Sequence, residues 1–243
     1  MSDHAFTPTV VIVHGAWTDA SSFAGVQRLL SREGYTVLEF ANPLRSLAGD
    51  AAYLATFLQT RTSGPVVLVG HSYGGAVIGA AGLAATNVRA LVYVNAFVPA
   101  EGESLLDLLN SVGPVDPTQL FDMAPYPGAP EGDVDLYIQR GPFEPAFATG
   151  LSDELQTEFY AKQRPITLAA VGAPAGPGQA WEQLPSWYVA GRVDGSIPLD
   201  LQLRMARRAG AAVTEVQAGH LSMVSHPREV AEVIKAAVSG TAQ

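Results

Sequence analysis

The sequence predicts an α/β fold: a doubly wound, mainly parallel sheet of about six strands, covered by helices on both faces and carrying a cap insertion. Three observations predict it. Short β-branched runs alternate with segments of helical length and composition, the order that builds a parallel sheet from crossover units. The runs are nearly continuous in apolar residues, as strands covered on both faces must be. One long stretch, residues 99–184, breaks the rhythm with recurrent proline and glycine and no strong strand.

Each element has its own justification. TVVIVHG (Thr9 to Gly15), YTVLEF (Tyr35 to Phe40), GPVVLVG (Gly64 to Gly70) and VRALVYVN (Val88 to Asn95) read as the first four strands. SWYVAG (Ser186 to Gly191) and AVTEVQ (Ala212 to Gln217) read as two more. Between them, Ser22 to Arg32, Leu47 to Gln59, Tyr73 to Ala85, Leu199 to Arg208 and Pro227 to Ala237 have helical composition, with Gly34 and Gly210 as stop signals. At 243 residues the chain suits a single domain, with a core of residues 1–98 and 185–243. The insertion is too long for a structureless loop and is expected to form an ordered cap. It offers Phe121, Tyr126, Tyr137, Phe143, Phe147, Phe159 and Tyr160 as pocket lining, although any one of these aromatics serves equally well to bury the cap.

Composition removes several classes of function. With 48% hydrophobic and 15% charged residues the chain is that of a compact protein. A net charge of -9 opposes binding to phosphate backbones, so nucleic acid is excluded as a partner. Zero cysteines leave no disulfide, thiolate ligand or cysteine nucleophile, and covalent chemistry must come from oxygen or nitrogen. The opening residues MSDHAFTP lack a basic segment followed by an apolar core, and no apolar run reaches the roughly 18 residues of a membrane span. A soluble cytoplasmic protein that does not bind membranes is expected; oligomeric state is left open, a homodimer included.

The sharpest local signal is LVGHSYGGAV, Leu68 to Val77. Gly70-His71-Ser72-Tyr73-Gly74 matches G-x-S-x-G, after a strand and opening a helix. Such a turn strains the serine backbone, and glycines two positions before and after make room for it. The hydroxyl then stands at the C-terminal edge of the sheet, where open α/β sheets bind ligands, above a helix N-terminus that favours developing negative charge. Neither G-x-G-x-x-G nor G-x-x-x-x-G-K-[ST] can be written here, which removes a nucleotide loop.

A serine nucleophile requires a base and an acid to orient it. Of five histidines, His4 lies in the N-terminal segment, and His14 and His71 belong to turns beside the serine. His220, after the last strand in QAGH, is favoured as base over His226, which precedes Pro227 at a helix start. Asp194, in GRVDG after the fifth strand, is favoured as acid over Asp200, explained by a helix dipole, and over Glu101 and Glu103 after the fourth strand. The order Ser72, Asp194, His220 is that of α/β-hydrolases. Backbone N–H groups of Tyr73 and Ala16 are the expected oxyanion donors. Gly15, Trp17, Phe97, Phe121, Tyr126 and Leu221 are the expected pocket residues. No metal or organic cofactor is needed.

With elbow, H-G-A loop, Asp194 and Gly-His in register, the chain resembles the α/β-hydrolase superfamily. More narrowly, VVIVHGAW, LVGHSYGGAV, GRVDGSIP and AGHLSMVSHPREVAEVI look like the branch of plant methyl esterases, hydroxynitrile lyases and bacterial hydrolase relatives. The resemblance implies a serine hydrolase for a small to medium, mainly uncharged ester. In the lyases a threonine stands at the Gly15 position and a lysine follows the histidine, where this chain has Leu221, so it implies an esterase over a lyase. The superfamily also contains receptor-like members that bind a ligand with little turnover.

Overall fold

The computed structural model describes residues 8–114 and 116–241. Strands β1 (Thr9–Val13), β2 (Val37–Phe40), β3 (Val66–His71) and β4 (Val88–Val94) come first, interleaved with helices α1 (Ala24–Arg32), α2 (Leu47–Arg61) and α3 (Tyr73–Ala81). After the insertion follow β8 (Ser186–Gly191), α9 (Leu199–Arg208), β9 (Ala212–Val216), α10 (Ser222–Ser225) and α11 (Pro227–Gly240). These six strands form one sheet in the order β2-β1-β3-β4-β8-β9, every pair parallel. The expected α/β class and strand count are thus met.

The pleat explains why continuous apolar runs were needed. Successive residues of β1 and β3 point to opposite faces. Val11, Val13, Val66 and Leu68 join the cluster under α2, α3 and α9, while Val10, Ile12, Val67 and Val69 join the one under α1 and α11. Both faces are dry around β1, β3 and β4, whereas the edge strand β9 is exposed along four of its five residues, which corrects the expectation of cover on both faces there. Each fully buried aliphatic side chain contributes about 1.5–3 kcal/mol of transfer free energy. Gly34 and Gly210 take φ of 87° and 60° just beyond α1 and α9, ending both helices as their positions predict.

Residues 99–184 contain α4 (Leu105–Asn110), α5 (Pro117–Leu120), α6 (Arg140–Pro142), α7 (Asp153–Ala161) and α8 (Leu168–Gly172). They also contain a three-stranded antiparallel sheet of β5 (Phe121–Ala124), β6 (Asp135–Ile138) and β7 (Ile166–Thr167), in the order β5-β6-β7. The sequence shows no strong strand in this stretch, and the three strands found there are short. The strands are four, four and two residues long, below the length at which alternation in sequence becomes readable.

The cap is tied to the core at a few polar points. Trp17 donates from Nε1 to the Leu136 carbonyl (2.8 Å) and from its backbone N–H to the Arg164 carbonyl (2.9 Å). Arg45 reaches across to Asp135 (2.7 Å) and to the Pro165 carbonyl (2.9 Å). Among the described residues, no helix is long and apolar enough to cross a membrane.

Candidate active site

Ser72, Asp194 and His220 stand just beyond the C-terminal ends of β3, β8 and β9. β1 and β3 are neighbours whose chains depart to opposite sides, so a crevice opens between them. Ser72 follows β3 directly, with φ 52° and ψ -123°, a conformation that costs a non-glycine residue of order 1–3 kcal/mol. The flanking glycines permit it by close packing. A Cβ on Gly70 would stand 2.6 Å from the Gly74 carbonyl oxygen, and one on Gly74 would stand 2.3 Å from that of Val13.

Around Ser72 the loops after β8 and β9 complete one hydrogen-bonded line. His220 Nε2 lies 2.9 Å from Ser72 Oγ, and His220 Nδ1 lies 2.9 Å from Asp194 Oδ2. A carboxylate can only accept, so Nδ1 carries the proton and Nε2 is left to accept from the serine hydroxyl. The serine, histidine and aspartate singled out in the sequence therefore meet, all three buried.

The other candidates do not reach this line. His226 occupies the start of α11 with its Nδ1 2.8 Å from Ser225 Oγ. Asp200 is exposed in the first turn of α9, where the helix dipole accounts for it. Glu103 pairs with Arg208 at 2.8 Å, Glu101 is exposed, and His4 lies outside the described residues.

Two residues in the site carry no sequence motif. Asp194 Oδ1 accepts from the backbone N–H groups of Ser196 (2.8 Å) and Ile197 (2.9 Å). Its Oδ2 accepts from His220 and also from Asn95 Nδ2 (2.9 Å) and Gln202 Nε2 (3.1 Å). Asn95 closes the apolar run of β4 with a lone amide, and Gln202 interrupts the buried stripe of α9. Those interruptions are the signals from which they could have been found.

The histidines beside the site are held neutral. Burial pushes His14 down to about 4; its Nδ1 donates to the Gly15 carbonyl (2.8 Å) and its Nε2 accepts from the Asn42 N–H (3.1 Å). Burial, with the His220 ring beside it, holds His71 well below the usual histidine range. His71 donates from Nε2 to the His220 carbonyl (3.1 Å) and its ring centre lies 4.8 Å from that of His220. Tyr73 is anchored by its hydroxyl, which donates to Asp50 (2.7 Å), and burial raises the phenol pKa.

The line opens onto a cavity of about 300 Å³ whose walls include Ala16, Trp17, Phe97, Phe121, Leu136 and Ile166. Ala16 and Tyr73 both face it beside Ser72. The Tyr73 N–H is the first of α3 and has no intrahelical partner, which leaves it available to an incoming oxygen. Trp17 takes φ 57° next to Ala16 and stacks on Phe121 at 5.3 Å, so one residue both turns the loop and joins core to cap.

Three expected pocket residues are placed elsewhere. Tyr126 turns to Asp133, donating its hydroxyl at 2.6 Å, with the Arg45 guanidinium 5.1 Å from its ring centre. Leu221 packs into the apolar cluster shared with α11. Gly15 is pressed against Ser72 and is not part of the cavity wall: a Cβ there would stand 2.7 Å from Ser72 Cβ and 2.9 Å from His71 Nδ1.

A parallel sheet that presents a serine on a strained strand-to-helix turn, with histidine and acid arriving from later strand ends, is the α/β-hydrolase arrangement. The chain belongs to the alpha/beta hydrolase family, whose profile matches residues 10–233. It is 29% identical over 257 residues to the carbendazim hydrolyzing esterase of Nocardioides sp. (strain SG-4G), covering 93% of this chain and 98% of that protein. Two crystal structures share the fold. Polyneuridine aldehyde esterase superposes with a TM-score of 0.77 at 22% identity, covering 95% of this chain and 99% of its own. A pyrethroid hydrolase from Sphingobium faniae JZ-2 gives a TM-score of 0.75 at 20% identity, with 97% and 98% covered.

Proposed function

We propose that the protein is a serine hydrolase that cleaves small to medium, mainly uncharged carboxylic esters through an acyl-serine intermediate. The observation that carries this reading is the line from Ser72 Oγ through His220 to Asp194, each contact 2.9 Å, opening onto an apolar cavity. His220 Nε2 takes the hydroxyl proton as Ser72 Oγ attacks the ester carbonyl carbon. Asp194 keeps the Nδ1 proton in place and stabilises the imidazolium. The carbonyl oxygen, now an oxyanion, receives the N–H groups of Ala16 and Tyr73. As the bond to the alcohol breaks, the leaving oxygen takes the proton from Nε2. Water then repeats the sequence on the acyl-serine and releases the carboxylic acid.

The cavity supports the substrate class. Among the described residues its walls hold no Lys, Arg, Asp or Glu, so a charged substituent would be desolvated without a partner. A volume of about 300 Å³ is at the lower end for small-molecule sites, which suits a small or medium ester. The esterase named among its relatives agrees with the bond type. Cyanohydrin cleavage is disfavoured, because Gly15 and Leu221 stand at the positions where the resemblance gives the lyases a threonine and a lysine.

A serine-directed fluorophosphonate tests the reading: one adduct is expected, mapped by peptide mass analysis to Ser72, with loss of hydrolysis of p-nitrophenyl esters. Mandelonitrile should be cleaved no faster than by Ser72→Ala. Labelling at another serine with Ser72 free would overturn the assignment of Ser72, and equal ester hydrolysis by Ser72→Ala would favour a binding protein.

A further inference from the structure

We infer that Asn95 is a positioning residue of the site: its side-chain amide locks the acid loop and the base loop together and thereby orients His220. The inference rests on the ester-hydrolysis reading for its kinetic consequences, and on geometry alone for its structural ones.

Asn95 is the first residue beyond β4, between the strands that carry Ser72 and Asp194. It is fully buried and takes φ 44°, in the left-handed region that a non-glycine residue adopts at a cost. Its backbone N–H donates to the Val189 carbonyl (2.9 Å), which fixes the turn to β8. From there the amide uses both ends. Nδ2 donates to Asp194 Oδ2 (2.9 Å) and to the Gly219 carbonyl (3.2 Å), the residue just before His220. Oδ1 accepts from the hydroxyl of Ser222, two residues beyond His220. One planar group therefore grips the chain on both sides of the base while holding the acid.

The orientation of the amide is determined by its partners. Asp194 Oδ2 and the Gly219 carbonyl can only accept, so the NH₂ must face them; a flipped amide would set three oxygens against one another. Surrounding residues make room for this placement. Gly191 ends β8 where a Cβ would lie 2.3 Å from Asn95 Nδ2, so any side chain there would expel the amide. The contact also bears on the reacting line, because Nδ2 meets the same oxygen, Oδ2, that accepts the His220 Nδ1 proton. Asn95 and Gln202 both donate to Oδ2, so two amides hold in place the oxygen that faces the imidazole.

The titratable groups facing His220 are Asp194, from the loop after β8, and His71, from β3; Asn95 and Ser222 carry no charge. An aspartate at position 95 would add a second carboxylate beside the first and favour the imidazolium over the neutral base. The acid limb of the kcat/KM profile should then move to higher pH, an effect that simple loosening of the fold does not produce.

The test uses Asn95→Gly, which tolerates φ 44° and removes only the side chain, with Asn95→Ala and Asn95→Asp beside it. Hydrogen bonds to charged groups contribute about 1.5–3 kcal/mol, so Asn95→Gly should lower kcat about 10- to 100-fold on a p-nitrophenyl ester, with KM within about threefold. The low-field ¹H NMR signal of the His220 Nδ1 proton, read without substrate, should shift or broaden. Asn95→Asp should show the displaced acid limb. A folded Asn95→Gly protein with kcat within about twofold of the parent, an unchanged Nδ1 signal and an Asn95→Asp profile that superposes on the parent would overturn the inference. If the hydrolysis reading itself failed, Ser72→Ala would retain activity, yet the NMR comparison would still decide the role of Asn95.

Discussion

The C-terminal edge of the sheet and the cap above it are built by different rules. At the edge, Asp194 accepts five hydrogen bonds, from His220, Asn95, Gln202 and the N–H groups of Ser196 and Ile197. The backbone there leaves no space for a Cβ at Gly70 or Gly74. The cap meets the cavity with aliphatic and aromatic surface, and polar contacts that include those of Trp17, Arg45, Ser196 and Arg208 hold it down. Directional contacts fix atoms to a few tenths of an ångström, whereas apolar contacts fix volume and tolerate rearrangement. The edge should therefore determine whether the reaction proceeds, and the cap which substrate undergoes it.

The strongest way to break this division is at the acid. Asp194→Asn keeps the shape but lets the 194 side chain donate towards His220 Nδ1, favouring the wrong tautomer. A loss in kcat of up to about 10⁴-fold is expected, equal in proportion for every ester tried, with the folded state checked by circular dichroism. His220→Ala should be comparably damaging. His226→Ala, Asp200→Asn and Glu103→Gln should stay within about tenfold of the parent. If Glu103→Gln lost activity while Asp194→Asn kept it, the acid would belong after β4.

A second difference lies in protonation. All five histidines fall outside residues 99–184, and His14 and His71 are buried neutral beneath the site. His14 binds its proton near pH 4 in the folded state against an ordinary value of 6.5. Between those values the unfolded chain takes up a proton that the folded chain refuses, so stability falls as pH drops through the window. The loss is roughly 3 kcal/mol by pH 4 for His14 alone, and His71 adds to it in the same direction. Urea unfolding at pH 7 and pH 4.5 should show the drop, and His14→Asn should reduce it. An identical drop in that variant would place the acid sensitivity elsewhere.

The same division governs what could be read from the sequence. The edge was legible because its constraints are local: Ser72 needs glycine at fixed offsets, and Asp194 and His220 follow the ends of β8 and β9 within a few residues. Asn95 and Gln202 were not, because their role depends on which strands become neighbours, and β4 and β8 are separated by the whole cap. In the cap, FDMA, DLYI and IT are too short to show a period. Tyr126 was misplaced for a related reason. Its direction is set by Asp133 in the cap and Arg45 in the core, and the Arg45 contact arises only when cap meets core.

The latch between the two regions offers a smaller test. Arg45 and Asp135 form a partly exposed pair, worth at most about 1 kcal/mol, so Asp135→Asn should change stability little. Because Arg45 also holds the Pro165 carbonyl, the change should loosen the cavity rim and raise KM about two- to fivefold. An unchanged KM with a lowered kcat would put the latch on the edge's side of the division.

The most selective effect is expected at Phe121. Its ring lines the cavity and stacks on Trp17 at 5.3 Å, which places it beside the loop that carries Ala16. Phe121→Leu removes the stacking, worth about 0.5–1.5 kcal/mol, and frees volume at the wall. Trp17 remains tethered through Nε1 to Leu136 and through its N–H to Arg164, so the Ala16 N–H should keep its place. Hydrolysis of an acetate ester should accordingly stay within about threefold of the parent. Esters with bulkier acyl groups should gain relative to it by a factor of about 3 to 10, since one or two methylenes in an apolar pocket are worth about 1–3 kcal/mol at most. The ratio of kcat/KM values across a chain-length series is the measurement. A uniform fall for all esters would mean that the stacked pair positions the oxyanion donor, and that the cap reaches further into the chemistry than its apolar walls imply.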